Sequence, residues 1–107
     1  MEKIYVINTD HGYEELLNRG LTNKAFRTKE RCEEIISEMS ESNHGKPVYS
    51  ENSEYVKLVK QYWDGDFSLK ELEEKIGNKK DTDTAFNSAL YYDFMHMFWV
   101  KEYEISE

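Results

Sequence analysis

The sequence predicts an α+β fold: a small antiparallel sheet of about three strands with three to four helices packed on it. Three observations predict it. Two β-type runs stand near opposite ends of the chain, Lys3-Ile4-Tyr5-Val6-Ile7 and the aromatic stretch from Leu90 to Ile105. Between them, apolar residues recur at helical spacing in several segments. The length of 107 residues suits one domain, and no repeat, low-complexity tract or linker divides it. Residues 1–107 therefore read as a single α+β domain, within which 50–90 is a helical insertion. The order of strand, weak strand, helices and strand fits a sheet with helices on one side.

The first strand, Lys3 to Ile7, is short, apolar and expected to be buried on both faces. Asn8-Thr9-Asp10-His11-Gly12 ends it with turn formers. Tyr13 to Arg19 suits a short helical turn with Leu16 and Leu17 inward and Gly20 at its end. Leu21 to Phe26 is expected to add a second, short strand. Thr28 then caps a helix whose apolar stripe is Cys32, Ile35, Ile36 and Met39, with Glu33, Glu34, Glu38 and Glu41 facing water. Ser42-Asn43-His44-Gly45 closes it, and Pro47 forbids continuation.

Ser53 caps a second helix, with Tyr55, Leu58, Val59 and Tyr62 on one face and Val56 and Trp63 widening it. Asp64-Gly65-Asp66 breaks it. Ser68 and Glu71 form a capping box for a third helix, and Phe67 can pack on Leu72 as a hydrophobic staple. Leu69, Leu72 and Ile76 are its inward residues, and Gly77 suits its end. A fourth helix is expected to begin near Thr82 or Asp83 and to carry Phe86, Ala89 and Leu90 inward. The chain then passes into the last strand somewhere between Tyr91 and Phe98. From Trp99 onward, alternation puts Trp99, Lys101, Tyr103 and Ile105 on one face and Val100, Glu102 and Glu104 on the other. The apolar-leaning face and the aromatic content predict a long, central strand on which helices pack.

KIYVI near the start, AFRTKE leading into a helix and FWVKEYEI at the end resemble small uncharacterised proteins of Gram-positive bacteria, their plasmids and phages. The likeness spans Lys3 to Met39 and Trp99 to Ile105. It implies a fold of strand, short strand, Thr-x-Glu helix and closing aromatic strand in a mobile-element setting. It carries no functional residue.

Composition restricts function more than any motif does. The net charge is −8, from 22 acidic and 14 basic residues. That balance opposes direct binding to nucleic acid or anionic lipid and favours a basic protein partner. Its plainer effect is solubility. The lone cysteine, Cys32, allows no internal disulfide or thiolate cluster, and no leader or apolar span is recognisable. These features together lead to the expectation of a cytoplasmic protein.

No motif announces catalysis, and no catalytic residue, cofactor or metal is expected. His11, His44 and His96 lack ligand spacing, so Asp10-His11 reads as a solvated turn. Asp64-Gly65-Asp66 lacks the rest of a calcium loop. Cys32 sits on an apolar stripe, where a thiol behaves as a small hydrophobe. The stretch from Phe67 to Leu90 has the outline of a helix-turn-helix, but Asp81 and Asp83 would sit near the start of the recognition helix, against phosphates.

Charge is uneven. Leu21 to Arg31 carries Lys24, Arg27, Lys29 and Arg31 against Glu30, while Asp64, Asp66, Glu71, Glu73, Glu74, Asp81 and Asp83 gather about the third helix. These seven are the expected partner-binding residues, either as a solvated face or as carboxylates standing where DNA phosphates would. Size, charge and lack of a chemical motif predict a non-enzymatic protein-binding module. Its expected form is an anti-CRISPR-like inhibitor from a mobile element, filling the nucleic-acid groove of a host nuclease. The alternative is an accessory or structural domain, homodimeric through an exposed sheet edge.

Overall fold

The computed structural model describes residues 2–105. The order of elements is β1 (Glu2–Thr9), α1 (Tyr13–Asn18), α2 (Lys29–His44), α3 (Glu54–Trp63), α4 (Leu69–Ile76), α5 (Lys79–Met95) and β2 (Phe98–Ile105). The class is α+β, with five helices and one two-stranded antiparallel sheet among the described residues. The chain divides into two compact units: Met1–Met39 with Phe94–Glu107, and Ser40–Asp93.

In the first unit, β1 pairs with β2 along its whole length, from Glu2 opposite Ile105 to Thr9 opposite Phe98. The expected strand from Leu21 to Phe26 reduces to one bridge, in which Tyr5 and Phe26 exchange two backbone hydrogen bonds of 2.8 Å. That segment has no period-2 pattern, and Asn23 takes a left-handed φ of 64°, which interrupts extension.

Alternation of side chains across the sheet decides the core. Ile7 and Phe98 are buried, with Tyr5 and Val100 packed beside them. The α2 stripe of Cys32, Ile35, Ile36 and Met39 completes this cluster, and α1 adds Leu16. The stripe is therefore where the helical spacing put it. Of the pair expected inward on α1, Leu16 is buried but Leu17 is 54% exposed.

β2 corrects the sequence reading. Its apolar-leaning face of Trp99, Lys101, Tyr103 and Ile105 points away from this core, while Val100 faces it. Buried Phe98 sets that register, since a strand cannot turn neighbours to one side. Beyond Val100 the inward face is exposed, and Glu102 accepts a hydrogen bond from the Tyr5 hydroxyl and pairs with Lys3. The strand is one of a pair rather than a central member, and β1 is not buried on both faces, because Ile4 and Val6 are only half-buried.

The second unit is helical. Val56 and Val59 of α3, Leu72 and Ile76 of α4, and Ala85 and Ala89 of α5 form its core, with Tyr55, Leu58, Tyr62, Phe67 and Phe86 half-buried around them. Ser53 caps α3 by accepting from the Tyr55 amide, and Ser68 caps α4 by accepting from the Glu71 amide at 3.2 Å. The staple residue Phe67 packs on the cluster that holds Leu72. Gly77 ends α4 at φ 117°, a conformation that costs a residue with a Cβ.

Asn78, immediately after it, starts α5 by accepting from the Asp81 amide at 2.8 Å. The helix thus begins at Lys79, three residues before Thr82, the earlier of the two expected starts. Thr82 is buried in the first turn, its hydroxyl donating to the Asn78 carbonyl. α5 runs on to Met95, and only His96 and Met97 separate it from β2.

Candidate functional site

Two surfaces stand out, one on each unit. The first is the acidic surface of the helical unit, which contains all seven carboxylates singled out from the sequence. Asp64 and Asp66 lie in the exposed turn between α3 and α4. Glu71, Glu73 and Glu74 lie on α4; Glu71 and Glu74 are exposed and Glu73 is half-buried. Asp81 and Asp83 occupy the first turns of α5. None of the seven makes an ion pair among the described residues.

The geometry separates them by role. Glu71 belongs to the cap of α4: its amide donates to the Ser68 hydroxyl, and that hydroxyl is 3.3 Å from its carboxylate. Asp81 does the same for α5, accepting from the Asn78 side-chain amide at 2.7 Å. Both also place negative charge at a helix N-terminus, where the macrodipole favours it. Asp64, Asp66, Glu73, Glu74 and Asp83 have no such local partner.

The second surface was misjudged from sequence, because the same side chains were read as core. The sheet of the first unit has one face toward α2 and one left open. On the open face the register sets Ile4 opposite Tyr103, Val6 opposite Lys101 and Asn8 opposite Trp99. Trp99, Tyr103 and Ile105 are 43%, 42% and 41% exposed. Beside the strands, Tyr13, Leu16 and the loop from Leu21 to Ala25 wall a groove of about 570 Å³ floored by Ile4 and Val6. Lys101 lies 5.2 Å from the centre of the Tyr103 ring. The signal in the sequence was the strict alternation of β2; what it lacked was a marker of which face is inward.

The frame behind this face is tightly tied. Thr9 Oγ1 accepts from the Gly12 amide and donates to the Met97 carbonyl, both at 2.8 Å, joining the two turns at one end of the sheet. A Cβ at Gly12 would fall 2.5 Å from the Phe98 ring, so this position admits only hydrogen.

Burial holds the Cys32 thiol above its ordinary value, with Glu33 adding to the effect. Burial also raises the phenols of Tyr49 and Tyr92, the first with Asp81 and the second with Tyr91 adding. Tyr92 donates to the Tyr49 carbonyl, and the buried Ser88 hydroxyl accepts from the Val48 and Tyr49 amides, so these groups fasten a loop to α5. Among the described residues no three His, Cys, Asp or Glu side chains come together to hold a metal, and no helix is long and apolar enough to cross a membrane. No family model, curated protein or solved structure matches the chain.

Proposed function

We propose that this chain is a small, non-catalytic protein-binding module that works by negative charge. It presents the carboxylates about α4 to a basic groove on its partner, where they stand in for nucleic-acid phosphates. The observation that carries the reading is the lack of any ion pair, among the described residues, at Asp64, Asp66, Glu73, Glu74 and Asp83, four of which flank or lie on one short helix. An exposed carboxylate without an internal cation retains its field for a partner. An inhibitor of a host nuclease, of the anti-CRISPR kind and from a mobile element, is the concrete form of this function. The resemblance of the terminal segments to phage and plasmid proteins supports that setting, and a cytoplasmic location follows from it.

The test is association kinetics with nucleases captured from a bacterial host lysate, followed across salt concentration. The rate should fall steeply once salt shortens the screening length to about 10 Å near 0.1 M. Joint reversal of Asp64, Asp66, Glu74 and Asp83 to Lys should slow association with the fold intact, whereas Glu71 and Asp81 must be spared because they cap helices. A partner indifferent both to salt and to the four reversals would refute the reading, as would tight DNA binding by the chain alone.

A further inference from the structure

Among the described residues no carboxylate lines the groove on the open face of the sheet, in a chain that carries 22 acidic residues. Its one charged lining residue is Lys24. The cations of this unit divide sharply. Lys3, Arg19, Lys29 and Arg31 each pair with a glutamate. Among the described residues Lys24, Arg27 and Lys101 pair with none, and all three lie around this one face. Lys101 alternates with Trp99 and Tyr103 on β2, and Arg27 shares a depression with Lys3, Ile4 and Glu2, the last also without an ion pair among the described residues.

We propose that this face is the docking site for an amphipathic helix of a partner protein, with an apolar stripe for the sheet and carboxylates on its flanks. Exposed Tyr103 beside the aliphatic floor of Ile4 and Val6, with exposed Trp99 further along the same face of β2, offers apolar area, the ordinary mark of an interaction surface. A helix laid on such a surface anchors through residues one turn apart. These cations choose the sign of its flanks: an acidic helix meets Lys24, Arg27 and Lys101, which outnumber Glu2 beside them, while a basic one meets a net like charge. Burial supplies the affinity, and the exposed cations supply selectivity, since each such pair contributes little alone. A single-stranded nucleic acid would also meet aromatics and cations here, but the net charge of −8 opposes its approach.

The test uses the full chain labelled with ¹⁵N and three probes. One is a stapled helical peptide with a Leu and Trp stripe and Glu flanks, one is the same peptide with Lys flanks, and one is oligothymidylate. The acidic peptide should shift the amides of Ile4, Val6 and Lys101 and the Trp99 indole, while the Trp63 indole stays in place. The Lys peptide should bind at least about tenfold more weakly, and Lys24→Glu with Lys101→Glu should remove that preference. Trp99→Ala, at an exposed position, should weaken the acidic peptide while circular dichroism is unchanged.

The proposal fails if the acidic peptide leaves these resonances unmoved at millimolar concentration, or if the Lys peptide binds the face better. It also fails if oligothymidylate moves them at lower concentration than the acidic peptide, or if they shift with protein concentration alone, which would make a second copy the occupant. The face belongs to the other unit from the carboxylates of the proposed function. Reversing Asp64 and Asp66 should leave this binding unchanged, so either reading can fall without the other.

Discussion

The two units hold the same charge, seven basic against eleven acidic residues each, and dispose of it in opposite ways. In the sheet unit, ion pairs tie Lys3, Arg19, Lys29 and Arg31 to Glu102, Glu15, Glu33, Glu34 and Glu38. In the helical unit the described ion pair is Lys60 with Glu51. Apolar surface runs the other way. Five of the eight large exposed hydrophobic residues are in the sheet unit, three of them on β2. The helical unit buries its stripes between α3, α4 and α5 and keeps free charge; the sheet unit neutralises much of its charge and keeps a free apolar face. Three amphipathic helices can close over one another, whereas two strands with one covering helix must leave a face open.

The largest expected effect tests the closed core of the helical unit. Leu72 is fully buried among Val56, Val59 and Ile76, so Leu72→Ala should cost about 2–5 kcal/mol in denaturant unfolding. A loss below 1 kcal/mol, on the order of a surface change, would mean that α4 is not part of that core.

The sheet unit is tested at Gly12 and Cys32. Gly12→Ala drives a methyl into the Phe98 ring and should destabilise by about 1–3 kcal/mol, an effect that a smaller residue at position 98 should relieve in the double variant. Cys32→Ser places a hydroxyl in the buried cluster of Ile7, Leu16, Ile35, Ile36 and Met39 and should cost about 1–3 kcal/mol.

Alkaline pH probes the same thiol. Burial holds its folded value above the ordinary 9.0, so the unfolded chain surrenders its proton first. The thiol's contribution is complete below pH 9.0 and is lost as pH rises through the folded value. Chemical denaturation from pH 8 to 10.5, roughly the span of ordinary thiol and phenol titration, should show falling stability, less so in Cys32→Ala. Rapid labelling of the native thiol at neutral pH would contradict this placement.

Smaller effects are expected at the caps. Ser68→Ala and Asn78→Ala should each cost about 0.5–2 kcal/mol by thermal melting, with Ser→Gly or Asn→Gly costing less. The smallest belong to the free charges: Glu74→Lys and Asp64→Lys should stay within about 0.5 kcal/mol of the parent. A large loss at either would show that those carboxylates are tied into the fold, and would erase the contrast between the units.

The features legible in the sequence are those that neighbours along the chain settle. The α2 stripe from Cys32 to Met39, the Ser53 and Ser68 caps and the Phe67 staple are local in sequence, and each took its expected place. Local signals also misled where two overlap. Gly77 ends one helix and Asn78 starts the next with no spacer, so the strong stop hid the start. Likewise the aromatic run from Leu90 to Phe98 suits a helix and a strand equally, and the structure divides it at His96 and Met97.

Which side of β2 faces inward is not written in the strand itself, because its period defines two faces without naming either. Packing of Phe98 against Ile7, some ninety residues away, made that choice, and turned Trp99 and Tyr103 outward. Ion pairing is equally non-local in its consequences. Lys3 meets Glu102 only because the first and last strands pair, and no count of charges along the chain distinguishes that glutamate from the unpaired ones about α4.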